Sequence, residues 1–145
     1  MNKQQRNDRL SFVGMLGLAS LGVPRVIAHD LHWVDSGSIA NLLLVFVPPA
    51  IWIAVVLKNK SSRPFTDLLT VGILYGVLLG ITHQLLWHIA FPSPPQLGGN
   101  LSDLSPAATA IVTRTFGFLS SLVTGAITGG AAGLVGLVLK RILPR

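Results

Sequence analysis

In the stretch GITHQLLWHIAF, His83, Gln84 and His88 fall within six residues of an otherwise apolar segment. Groups of this kind can ligate a metal or haem iron, relay protons, or help an arginine hold an anion. The other candidates are scattered along the chain: Arg25, His29, His32 and Arg114, with Asp30, Asp35 and Asp103 as acidic partners. There is no cysteine, which excludes disulfides, thiolate metal sites and cysteine nucleophiles. No G-x-S-x-G elbow, H-E-x-x-H helix or phosphate-binding loop is present.

The elements that must position these residues are long apolar segments. Half of the 145 residues are hydrophobic, 11% are charged and the mean hydropathy is +0.64. An ordinary soluble domain carries about 25% charged residues. The composition therefore predicts an all-α integral membrane protein. Four segments reach the roughly 20 apolar residues that a bilayer crossing takes. They are placed at about 10–28, 38–57, 67–91 and 116–139, in one membrane domain covering 1–145. The apolar run from 107 to 139 would be roughly 50 Å long as one helix, against a hydrocarbon core of roughly 30 Å. It is expected to tilt, protrude or break, with 106–115 as a helical lead-in at the outer interface. Ser105 and Pro106 suit its N-cap and first helical position. Pro48 and Pro49 should kink the second span.

Lysine and arginine orient the spans. Nine of the eleven basic residues (Lys3, Arg6, Arg9, Lys58, Lys60, Arg63, Lys140, Arg141 and Arg145) fall on one side of a four-span chain. The loops at 29–37 and 92–105 contain neither lysine nor arginine. Basic loops stay cytoplasmic, so both termini are expected inside the cell membrane. That placement accounts for a pI near 10.9 without nucleic acid. A cleaved signal peptide ending near Ala28 is disfavoured by Arg25 beside the cut. A faint echo between 13–22 and 71–80 suits a two-helix repeat and carries little weight.

Small residues recur every four positions: Gly72, Gly76 and Gly80 in the third span, and Gly117, Ser121, Gly125, Gly129 and Gly133 in the fourth. Residues four apart share a helix face, and such a face lets two backbones approach closely in lipid. Glycine-mediated packing of these consecutive, antiparallel spans is expected, although the stripe could also meet a second copy.

The third-span stripe continues into Gln84 and His88, with His83 on its flank. Counting about 1.5 Å per residue puts His83 about 24 Å and Arg25 about 22 Å above the inner ends of their spans. The two basic residues outside the inner clusters thus converge with all four histidines on the outer half. Arg25, His29, His83, Gln84, His88 and Arg114 form the candidate ligand site, with Asp30 or Asp35 expected to pair with Arg25 or Arg114.

Four readings compete. The first is an outer capping network of satisfied polar groups with Trp33 and Trp87 at the interface. The second is a bound ligand: haem between His83 and His29, or a metal on His29, His32 and an aspartate, neither with a specific ligand spacing. Transport or proton relay is disfavoured, because the inner half offers only Thr70, Tyr75, Thr124 and Thr128. Catalysis through Ser120 or Ser121 ranks last. The expectation is a non-enzymatic membrane or accessory protein in the lipid bilayer, acting with itself or a larger membrane complex. The alternative is a small ligand, metal or haem held by the outer cluster. Cavity-lining His83, Arg25 and Gln84 would favour binding; full pairing with protein groups would favour packing.

Overall fold

The computed structural model describes residues 10–143. Lys3, Arg6, Arg9 and Arg145, which contribute to the orientation argument, lie outside them. The described residues are helical, with no strand. The helices are α1 (Phe12–Ser20), α2 (Val23–Asp30), α3 (Ile39–Lys58), α4 (Pro64–Ala90) and α5 (Pro106–Ile142), with a short 3-10 turn at Gly99–Leu101. Four helical units are long and apolar enough to cross a membrane: α1 with α2, then α3, α4 and α5.

The first span is two helices, where the sequence suggested one. Pro24 offers no N–H, and the turn before it tightens: Leu21 N donates to Leu18 O and Gly22 N to Ala19 O. The break has two uses. Leu18 O, spared its usual partner four residues on, accepts the Trp52 indole N–H at 2.7 Å. Gly22 lets the Tyr75 ring lie against the backbone; a Cβ there would stand 2.7 Å from Tyr75 Cδ2. α3 runs through Pro48 and Pro49 without losing its helical assignment.

The fourth span does not break either. α5 is one helix of 37 residues, roughly 55 Å long, so 106–115 is its first three turns rather than a separate lead-in. Ser105 caps it, its Oγ accepting from Ala108 N, and Pro106 opens it. α3 and α2 end alike, on a residue with positive φ: His32 (56°) follows α2 and Lys60 (51°) follows α3. In each case the next N–H reaches five residues back, Trp33 to Ala28 O and Ser61 to Val56 O, which satisfies a carbonyl left over at the helix end.

α4 is the hub. It packs most extensively on α5, and the first span, α3 and α5 all touch it. The first span and α5 share no packed interface, so they flank α4 with a gap between them. Small residues lie where α4 and α5 approach each other. A Cβ on Gly72 would overlap the backbone of Gly125 and Gly129. One on Gly76 would lie 2.8 Å from Ser121 O, and one on Gly129 2.7 Å from Gly72 Cα. The ends of the stripe meet rings instead: Gly80 meets Phe118, Gly117 meets Trp87 and Gly133 meets Phe65. The core below contains Trp52, Val56, Leu68 and Val71, all at 0% exposure. The basic end is tied by Lys140 Nζ donating to Ser61 O at 2.6 Å, while Ser61 Oγ donates to Asp67 Oδ2 at 2.6 Å.

Candidate functional site at the histidine end of the bundle

Asp30 is the last residue of α2 and is 2% exposed. Its carboxylate faces α4, where Oδ2 accepts from His83 Nδ1 at 2.6 Å. Oδ1 lies 3.4 Å from His29 Nδ1, a long and weak contact. His83 Nε2 has no hydrogen-bond partner among the described residues. The expectation of an aspartate–arginine pair is therefore corrected. Among the described residues the only carboxylates within 4 Å of a basic side chain are those of Asp30 with His83 and with His29. The reason is register: Asp30 lies on the face of α2 that α4 covers, level with His83.

A second group is built on α4 and α5. Gln84 Nε2 donates to Arg114 O at 3.0 Å, and Arg114 Nη1 donates to Gln84 Oε1 at 3.3 Å. The guanidinium stands 5.2 Å from the centre of the Trp87 ring and Nη2 is 3.4 Å from His88 Nε2. This is a mutually satisfied set, with the cation on an aromatic face and both ends of the Gln84 amide used. It fits the capping reading.

Arg25 is different. Its Nε is buried with no hydrogen-bond partner. The residue lines a cavity of about 750 Å³ in the gap between the first span and α5. His29 and His83 share that wall; Leu79, Trp87, Phe91 and Phe116 make it largely apolar. Volumes of about 300–1,000 Å³ are usual for small-molecule sites. A smaller cavity of about 180 Å³ lies on the other side of Arg25, against Tyr75, Thr124 and Thr128. Leu44, Val45, Pro48 and Pro49 close it. The prolines have no N–H to give the carbonyls of Leu44 and Val45. Arg25 and Thr124 line both cavities, which therefore adjoin there.

The six candidates thus fall into two groups. His29 and His83 gather round Asp30 and line a cavity with Arg25; Gln84, His88 and Arg114 satisfy one another. His32 joins neither and ends α2. No cluster of three or more metal-binding side chains is found among the described residues. Sequence reasoning raised a cavity at Arg25 and His83 as the mark of a binding site, but did not bring Tyr75 and the paired prolines to it. The only available signal was Pro48-Pro49 at the depth of an arginine in another span. No protein-family model matches the chain, and neither the curated proteins nor the solved structures give a match.

Proposed function

We propose that the chain is a multi-pass protein of the cell membrane with both termini cytoplasmic, and that its outer half binds a small ligand without chemical turnover. The carrying observation is Arg25: the residue lines a cavity that His29 and His83 also line, and its Nε is buried without a hydrogen-bond partner. A buried donor without an acceptor costs about 1–3 kcal/mol, and an anion held by the guanidinium from the cavity would offset that cost. The small-residue seam between α4 and α5 serves to hold the rigid side of that cavity. Gln84, His88 and Arg114 serve as structural anchors of the α4–α5 end. Metal and haem are weaker ligand classes here, since His29 and His83 both turn Nδ1 to Asp30 and no cluster of three or more side chains able to hold a metal is found among the described residues.

The test is native mass spectrometry of the protein released from its own membranes, beside Ser120→Trp, which fills the cavity from α5. A non-covalent mass of a few hundred daltons on the wild type, absent from a Ser120→Trp protein of equal melting temperature, is the expected result. A bare wild type would sink the ligand reading and leave the packing and accessory role.

A further inference from the structure

We infer that the ligand of the outer cavity is an amphiphile with one anionic head, a carboxylate or a phosphate, and one apolar chain, entering sideways from the bilayer with its head at Arg25. This rests on the ligand-binding reading above and adds the class of ligand and its route.

The head is assigned by charge. Arginine stays protonated at any pH a protein meets. Among the described residues no carboxylate lies within 4 Å of Arg25; Asp30, the buried acid nearby, is committed to His83 and His29. A cation inside a low-dielectric wall attracts an anion far more strongly than one in water does, and arginine pairs with carboxylate and phosphate through parallel N–H donors. Tyr75, whose hydroxyl donates to no protein group among the described residues, borders the small cavity beside the guanidinium and offers a further donor.

The chain and the route are assigned by the walls. Arg25 and Thr124 stand where the two cavities meet, and His29, His83, Thr113, Ser120 and Ser121 are the other polar residues of the larger one. Away from that point the rim on α5 is apolar and outward-facing at Phe116, which is 67% exposed. The gap between the first span and α5 opens through this rim. In a bilayer, such a rim meets acyl chains, so a head drawn inward leaves its tail among them. Trp52, which is wholly buried, borders the small cavity.

The experiment is native mass spectrometry of the detergent-purified full chain with three probes sharing one acyl chain: oleate, oleoyl lysophosphatidate and neutral monoolein. One anionic probe or both should bind at one per chain, at least ten-fold tighter than monoolein. Arg25→Gln should lose ten-fold or more of that affinity and Arg25→Lys should recover part of it. A ten-fold preference between the anionic probes identifies the source, a free fatty acid or a phospholipid-type phosphate. Equal binding of all three, untouched by Arg25→Gln but abolished by Ser120→Trp, would overturn the anionic head and leave the ligand site standing. If the wild type binds none of them, the anionic class is overturned whatever native extraction shows, and a bare protein on extraction removes the ligand reading as well. Should Arg25→Gln fold poorly, the ratio of oleate to monoolein on the wild type decides alone.

Discussion

Asp30 Oδ2 and His83 Nδ1 stand 2.6 Å apart across 53 positions of sequence. The bond ties the end of the first span to α4 and leaves one imidazole nitrogen uncommitted. It also uses up the buried acid that could have neutralised Arg25. One hydrogen bond thus separates a structural acid from an unpaired cation a turn and a half away on the same helix.

That bond predicts strong coupling. Removing either partner strands the other in a buried setting, so Asp30→Asn and His83→Ala should each cost about 1.5–3 kcal/mol. The double variant should cost less than the sum by about 1 kcal/mol or more, as contacting residues usually do. Thermal melts of the detergent-solubilised protein give the cycle; strict additivity would show that the pair does not hold the first span.

The two arginines should behave oppositely. Gln84→Ala removes both bonds to Arg114 and should lower stability by about 1 kcal/mol, near the upper range for polar pairs in membranes, with ligand retained. Arg25→Gln breaks no pair among the described residues and removes an unpartnered buried donor, so the ligand-free protein should melt no lower than the ligand-free wild type while ligand is lost. A drop in melting temperature for Arg25→Gln larger than that for Gln84→Ala would place Arg25 among the structural residues.

The seam should tolerate no added carbon. Gly72→Ala places a methyl on the backbone of Gly125 and Gly129, and overpacking of this kind costs about 1–3 kcal/mol. Gly130→Ala is the control, because nothing lies within 4 Å of a Cβ there; it should change stability by less than about 0.5 kcal/mol. Equal melting of the two variants would mean that α4 and α5 can part without loss.

Orientation is checked with reporter fusions. An alkaline phosphatase fused after Gly99 should be active and one fused after Lys60 inactive, since basic loops stay cytoplasmic. The reverse pattern would place the histidine end inside the cell and the cavity in the inner leaflet.

What the sequence determined by itself is local. Hydropathy over about 20 residues is a property of the segment alone, because unpaired backbone groups in hydrocarbon force helices whatever surrounds them. Hence the four apolar units, the Ser105–Pro106 start and the four-residue spacing of Gly72, Gly76, Gly125 and Gly129 were legible. Pairing was not. Whether Asp30 meets Arg25, Arg114 or His83 depends on the relative depth and rotation of helices joined by loops, and a shift of one residue turns a helix by about 100°. The gap between the first span and α5 was equally hidden, since it arises from helices that do not touch. The tertiary structure alone decided that Gln84 and Arg114 satisfy each other and that Arg25 faces a cavity. The break at Leu21–Gly22 is an intermediate case: Pro24 marked it, but only Tyr75 and Trp52, packed from two other spans, give it something to do.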